Sequence, residues 1–378
     1  VGSEMCIRDS PCRSCNYGDM ADKRRKHPTY DPDAEVTTVV AGHVGVIELN
    51  RPKALNSLNV EMIRLIREAV DKWADDDWIQ FIVIKSSSDR AFCAGGDVRY
   101  VRMRDMKRMY RFGDSFFEEE YDLNERLSRV NKPVIALLEG IVMGGGMGIS
   151  MHGSHRVITP RTLGAMPEAA IGFVPDVGMS YRLTHLDCSP AVGLFIAATG
   201  WRLSPADMLY TGLATNLVAD VHAFESDLHS GDLPEALRSN ALDPQKLEEP
   251  TSTLQQHAEW IERTFAEGTW ADIEARIVRD AGSVSDAELA QFITKVTDSL
   301  KGANPESLVA TVELFRRAEG ATLREALDME FKVGGELRRG PNFIEGVRAV
   351  LEHKDHNAQF EPASTDDVDV EKWRALLG

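Results

Sequence analysis

The sequence predicts an α/β core running to about residue 225, followed by a mainly helical C-terminal portion. Short apolar stretches of strand length alternate with stretches of helical period in the first half of the chain. Glycine-containing turns lie between the two kinds of stretch. From about residue 189 the period is helical, with few strand signals.

The elements follow in order. "HVGVIEL" (43–49) alternates like a half-buried strand, and Pro52 in "NRPKALN" (50–56) breaks the pattern. Met62, Leu65, Ile66, Ala69, Val70 and Trp73 recur at helical spacing and give an amphipathic helix. "IQFIVIKS" (79–86) is a short apolar strand, followed by the glycine-containing loop "DRAFCAGGDVR" (89–99) and a charged stretch of helical character. "PVIALLEG" (133–140) is another buried strand. It runs into "IVMGGGMGISMHG" (141–153), a strand-to-helix turn. Further on, Leu289, Phe292, Ile293, Val296 and Leu300 share one helical face, as do Leu308, Val312 and Phe315, and then Leu323, Leu327 and Phe331. Residues 230–252, rich in proline and acid, read as a connector. The expected organisation is a leader (1–19) foreign to the folded protein, with Met20 as the start, a core (36–225), a helical region (226–362) and a tail (363–378).

Composition narrows the function. The 378-residue chain is 43% hydrophobic and carries a formal net charge of −17. That argues against non-specific binding to nucleic acid or to an anionic membrane, both of which reward positive charge. No apolar run reaches the ~18 residues of a membrane span. The basic run Lys23-Arg24-Arg25-Lys26 is short and reads as a solvated tail. Cys12-x-x-Cys15 has no second pair at zinc-site spacing. Outside the leader only Cys93 and Cys188 remain, which fits a soluble protein of a reducing compartment. That compartment is the cytoplasm of a bacterium or the mitochondrial matrix of a eukaryote. The helical portion can serve within or between subunits, so a homo-oligomer stays open.

Two glycine turns and two acids carry the chemistry. Gly144-Gly145-Gly146-Met147-Gly148 is no dinucleotide fingerprint, because Ile149 stands where the last glycine is needed. It reads either as tight strand–helix packing or as backbone N–H groups open to a substrate. In Ala94-Gly95-Gly96-Asp97, Asp97 is placed to cap the following helix. Two such turns can aim two N–H donors at one oxygen, the oxyanion hole of acyl chemistry. Gly148-Ile149-Ser150-Met151-His152 lacks the closing glycine of a nucleophile elbow, and His152-x-x-His155 is not a zinc-protease helix. In "MPEAAIGFVPDVGMS" (166–180), Glu168 and Asp176 interrupt an apolar run, each directly after a proline. Burying a carboxylate is costly. Each acid reads either as a helix cap or as a nucleophile, base or orienting partner on successive bends lining a pocket.

Taken together, "LNRPKALN", "AFCAGGDVR", "MGGGMGIS" and "MPEAAIGFVPDVG" resemble the crotonase (enoyl-CoA hydratase/isomerase) superfamily over roughly residues 36–360. "FFEEEY" (116–121), "HGSHRVITP" (152–160), "PDVGMSYRL" and "NFIEGVRAVLEHKD" (342–355) are similar to its 3-hydroxyisobutyryl-CoA hydrolase branch. The resemblance implies a spiral of repeated ββα units and an acyl-CoA thioester substrate. It implies that Gly96 and Gly145 supply the oxyanion hole, that Glu168 is catalytic and that Asp176 is a second acid. Glu120 and Gly145 match substrate-contacting positions. Lys53, Ala54 and Leu55 match a strip along the CoA nucleotide. Lys354 reads either as a phosphate ligand or as a surface lysine.

The hydratases of the superfamily carry a first catalytic glutamate where this chain has Gly148, and usually glycine where it has Asp176. The expected activity is therefore hydrolysis of a short branched 3-hydroxyacyl-CoA, 3-hydroxyisobutyryl-CoA first, in valine breakdown, with no metal and no cofactor beyond the CoA of the substrate. The alternatives are an enoyl-CoA hydratase or isomerase and a non-catalytic CoA-binding protein.

Overall fold

The computed structural model describes residues 33–378. The expected leader, the Cys12-x-x-Cys15 pair and the basic run at 23–26 lie outside the described residues.

A hairpin opens the core. β1 (Val36–Ala41) and β2 (Val44–Leu49) pair antiparallel, and Gly42 takes a φ of 60° at the turn. β1 was not foreseen. α1 (Val60–Ala74) follows, its first turn capped by the Asn59 side chain on the Met62 N–H at 2.9 Å. Its buried face is Met62, Ile63, Ile66, Ala69, Val70 and Trp73, so Ile63 goes inside while Leu65 lies at the edge.

Three strand pairs then wind the spiral. β3 (Phe81–Ser86) and β4 (Ala91–Cys93) precede α2 (Val98–Asp105) and α3 (Tyr110–Ser128). β5 (Val134–Leu138) and β6 (Ile141–Met143) precede α4 (Gly145–Met151). β7 (His155–Ile158) and β8 (Leu163–Ala165) precede a 3₁₀ turn (Glu168–Ile171) and α5 (Met179–Thr184). The first strand of each pair joins a six-stranded sheet of order β1-β2-β3-β5-β7-β9, closed by β9 (Asn216–Leu217). The second joins a three-stranded sheet of order β4-β6-β8. Every pairing after the hairpin is parallel. The spiral of ββα units is thus as expected, and the "strand-to-helix turn" of 141–153 is β6 and α4.

Both faces of the inner part of the large sheet are covered, which is why β3 and β5 read as near-continuous apolar runs. Along β2, Ile47 and Leu49 enter the main core while Val44 and Val46 face a smaller cluster on the opposite side. That outer cluster is closed by Val221, Phe224 and Leu228 of α8 (Val221–Leu228) and by Leu233 and Ala236 of α9 (Leu233–Ser239). Between α5 and α8 (Val221–Leu228) lie α6 (Pro190–Thr199) and α7 (Pro205–Tyr210). The 230–252 segment is therefore more than a connector: α9 (Leu233–Ser239) is a helix that seals the sheet.

The rest is helical, as expected: α10 (Thr253–Gln256), α11 (Ala258–Phe265), α12 (Trp270–Ala281), α13 (Ala287–Leu300), α14 (Pro305–Ala318), α15 (Leu323–Arg339), α16 (Pro341–Val347) and α17 (Val370–Leu377). The face of α15 differs from the expected one. Ala326, Leu327, Glu330, Val333, Leu337 and Arg338 are buried, while Leu323 and Phe331 are only partly so. Residues 363–378 are not a free tail: α17 buries Trp373 fully and joins the main core against α14 and α15. No helix of the described residues is long and apolar enough to cross a membrane.

Candidate active site

The 51–58 segment fixes the first glycine turn. Asn56, fully buried at φ 55°, donates to Ser86 Oγ (2.8 Å) and to the Phe92 carbonyl (3.0 Å) and accepts from the Arg51 N–H (2.8 Å). The loop so held takes the Ala94 N–H on Leu55 O and the Asp97 N–H on Leu58 O. The Gly96 N–H between them finds no acceptor among the described residues. Asp97 does occupy the residue before α2, but its carboxylate does not cap. It accepts from Arg51 Nη1 at 2.9 Å, an ion pair that outcompetes the cap.

The second turn starts α4. Gly144 has φ 48° and ψ −122°, and the Gly145 N–H, among the donors a helix start leaves over, also finds no acceptor among the described residues. A Cβ at Gly145 would lie 3.1 Å from the Gly96 nitrogen and 2.4 Å from Glu120 Oε1. The two amides and the Glu120 carboxyl therefore border one space that no side chain at 145 could share. The neighbouring Gly146 serves packing instead: a Cβ there would stand 2.3 Å from Cys93 O. The packing reading of the triple glycine holds at Gly146, while the Gly145 N–H is left without a protein acceptor among the described residues.

Glu168 is the first residue of the 3₁₀ turn, directly after Pro167. Its Oε1 lies 3.0 Å from a Cβ built at Gly144, and its buried Oε2 has no hydrogen-bond partner. Burial, and then the Asp176 charge, push its carboxyl well above the ordinary value of 4.5. Asp176 lies in the loop before α5. Its Oδ2 accepts from the Tyr121 hydroxyl at 2.7 Å, and burial outweighs that bond and raises the group to about 7. Glu120 on α3 is buried with Oε1 unpaired, and burial followed by Asp176 raises it well above 4.5. Neither acid of the "MPEAAIGFVPDVGMS" run caps a helix with its side chain.

These groups line one cavity of about 610 Å³ with Lys53, Ala54, Leu55 and Lys354. Every site residue expected from the sequence is therefore brought together. Lys53 and Lys354 are exposed at its rim. The far wall is fastened by α2: Arg99 Nη2 donates to Leu351 O (2.6 Å) and Arg102 Nε to Ile344 O (2.7 Å).

Two nucleophiles beside the glycine turns are spent. Ser150 Oγ donates to Gly146 O at 2.7 Å, inside its own helix. The Cys93 thiol is buried and pushed up to about 12. No group of three His, Cys, Asp or Glu among the described residues could hold a metal ion.

Tyr121 and Glu330 are the residues that sequence reasoning missed. Glu330, fully buried on α15, accepts from the Gly178 N–H (2.7 Å), the Ser180 N–H (2.9 Å) and the Ser180 hydroxyl (2.5 Å). Burial raises it to about 8 against the pull of those donors. Its signal was a carboxylate at i+3 from Leu327, on the apolar face of the helix.

Comparison with known proteins agrees with this geometry. The chain is 37% identical over 343 residues to the 3-hydroxyisobutyryl-CoA hydrolase, mitochondrial, of Danio rerio, covering 89% of this chain and 87% of that one. It is 37% identical over 349 residues to the protein of that name from Homo sapiens, covering 90% and 88%. Among solved structures it resembles a carnitinyl-CoA dehydratase from Mycobacterium thermoresistibile, with a TM-score of 0.83, 32% identity and coverage of 92% and 97%. An enoyl-CoA hydratase from Rhodobacter sphaeroides 2.4.1 gives a TM-score of 0.80 at 32% identity, covering 91% and 97%. The enoyl-CoA hydratase/isomerase family model matches residues 44–377. With the ββα spiral and both glycine turns inside that match, the chain belongs to the enoyl-CoA hydratase/isomerase family.

Proposed function

We propose that the chain hydrolyses the thioester of a short branched 3-hydroxyacyl-CoA, 3-hydroxyisobutyryl-CoA first, to the free 3-hydroxy acid and CoA, as in valine breakdown. One observation carries this reading. A buried Glu168 with an unpaired oxygen adjoins two unclaimed amides, while position 148 has no room for a second acid. The names of the zebrafish and human relatives support it.

The thioester oxygen accepts from the Gly96 and Gly145 N–H groups, which stabilise the charge that develops there. Ionised Glu168 then acts by one of two routes that share this geometry. In the first, its oxygen bonds to the carbonyl carbon, the C–S bond breaks, and the sulfur leaves as CoA thiolate, which takes a proton from solvent. Water then opens the anhydride, returning Glu168 and the acid. In the second, Glu168 takes a proton from water as the water attacks, and that proton leaves with the sulfur. Burial and the Asp176 charge both oppose ionisation of Glu168, so a neutral Asp176 favours the ionised form that these routes need. Tyr121 holds one oxygen of Asp176, leaving this acid to orient the water or the 3-hydroxyl. Glu120 faces the same space. Protein groups and water suffice for these steps.

Free thiol is the readout, across 3-hydroxyisobutyryl-, 3-hydroxypropionyl- and crotonyl-CoA. Glu168→Gln should lower turnover by about 10²- to 10⁴-fold. Near wild-type release by that variant overturns the assignment. The likeness to a carnitinyl-CoA dehydratase and an enoyl-CoA hydratase favours a second reading, water addition to an enoyl-CoA. Loss of enoyl absorbance from crotonyl-CoA without free thiol would establish it.

A further inference from the structure

We infer that Glu330 is a positioning residue for Asp176: from the C-terminal helical region it locks the 176–180 loop into a strained course that presents the Asp176 carboxyl to the site. The strain is visible in the backbone. Val177 has φ 54° and Gly178 φ 79°. A β-branched residue in the left-handed region persists only where its surroundings over-determine it.

Two clamps do so here. On one side the His152 ring, neutral because burial lowers it to about 4, donates from Nε2 to the Val177 carbonyl at 2.7 Å. On the other, the two Glu330 oxygens divide three donors between them, Oε2 taking the Gly178 N–H and Oε1 both Ser180 donors. Asp176 is fixed in between, its carbonyl accepting from the Met179 N–H at 2.9 Å and its carboxyl from Tyr121. Glu330 lies about 150 residues from the loop it holds. It has its own anchor eight residues further along α15, where Arg338 donates two hydrogen bonds of 2.9 Å to Asp105. Glu330 does not line the cavity. It acts through the loop.

Glu330→Gln keeps the shape and replaces one acceptor oxygen with an NH₂ group that opposes the backbone donors. Hydrogen–deuterium exchange at the 176–180 amides should rise in this variant. Turnover should fall about 10- to 10²-fold with CoA binding unchanged, because a small misplacement of a reacting group costs about this much. In an Asp176→Asn background the same substitution should add less than about twofold, since the two act as one unit. A residue of merely structural importance would instead give the same fold-loss in both backgrounds.

Unchanged loop exchange, or equal losses with and without Asp176, overturns the inference. Ser180→Ala, which removes one of the three donors and shortens a side chain, carries the same tests with smaller effects should Glu330→Gln fail to fold. The turnover arms rest on the thioester-hydrolase reading. Absence of thiol release by the wild-type chain would overturn that reading, while the exchange arm decides the clamp by itself.

Discussion

The Gly148 backbone lies against the Val177 side chain so closely that a Cβ at 148 would stand 2.7 Å from the Val177 Cβ and 2.9 Å from Asn124 Nδ2. The position at which hydratases of the family carry an acid is thus closed by the residue that follows Asp176. The strained loop presents one carboxylate and forbids the other. Gly148→Glu should therefore give no hydratase. We expect a destabilised protein that leaves the enoyl absorbance of crotonyl-CoA unchanged, and even Gly148→Ala should cost about 1–3 kcal/mol by overpacking. Urea unfolding of the alanine variant, and an enoyl assay of any folded glutamate variant, check this. Hydration by the glutamate variant would refute it.

Gly145 tests the oxyanion space. The Cβ of Gly145→Ala would intrude 2.4 Å from Glu120 Oε1 and 3.1 Å from the Gly96 nitrogen, where the thioester oxygen is to sit. The amide donor stays, but the methyl keeps the oxygen away from it, so turnover should drop as much as the loss of an oxyanion donor costs, about 10²- to 10³-fold. Equal turnover in the thiol assay would show that the acyl oxygen binds elsewhere.

The pH–rate profile should report the acid cluster. Glu168 must be ionised to attack or to take a proton, and burial and Asp176 hold it well above 4.5. The acid limb of kcat/KM should therefore lie above the ordinary carboxylate range. Asp176→Asn removes the charge that raises Glu168 most after burial and should shift that limb to lower pH, whatever it does to the plateau. A limb that stays put would mean that the two carboxyls do not sense each other.

Stability should fall as neutral pH is passed. Glu120 and Glu168 are raised well above 4.5, and Asp176 is raised to about 7. An acid raised in the folded state binds more protons there than in the unfolded chain. Stability is therefore lost as pH climbs from the unfolded value through the folded one. His152, lowered from 6.5 to about 4, opposes this between those two values and drops out above them. From about a pH unit above 6.5, where the imidazoles are neutral folded and unfolded, the loss from the acids stands alone, at most about 1.4 kcal/mol per pH unit for each proton. Urea titrations at several pH values should show this decline, and a flatter one for Glu168→Gln. A stability that rises over that range would count against the buried cluster.

Much of the site was legible because its residues fall in four short stretches whose glycines and acids have local meaning. Gly96, Gly145, Glu168 and Asp176 could each be marked from neighbours a few positions away, and Glu120 only through the resemblance that "FFEEEY" carries. What escaped was long-range. Asp97 was readable as a cap, but Arg51, 46 residues upstream, takes its carboxylate. Tyr121 finds Asp176 across 55 residues, and Glu330 finds Ser180 across 150. No periodicity links such pairs. In the fold, β4 escaped because three residues inside a glycine loop carry no alternation to count. The closing helix α17 escaped because its charged face hides a short apolar stripe, Trp373 and Leu377.

Arg338 offers a stability test independent of the chemistry. It is 1% exposed, donates to both Asp105 oxygens, to Asp114 (3.0 Å) and to Tyr110 O (3.1 Å), and lies over the Phe117 ring. Asp105 is equally buried, and burial outweighs Arg338 enough to raise its carboxyl. Removing one partner leaves a buried charge alone, whereas removing both does not. Arg338→Ala should cost about 3–5 kcal/mol, and Arg338→Met combined with Asp105→Asn distinctly less. Urea unfolding compares them. The pair ties α15 to α2, and by helical rise it lies about 12 Å along α15 from Glu330. If the double variant is the less stable of the two, the ion pair contributes more than the relief of its own burial, and the order predicted here is wrong.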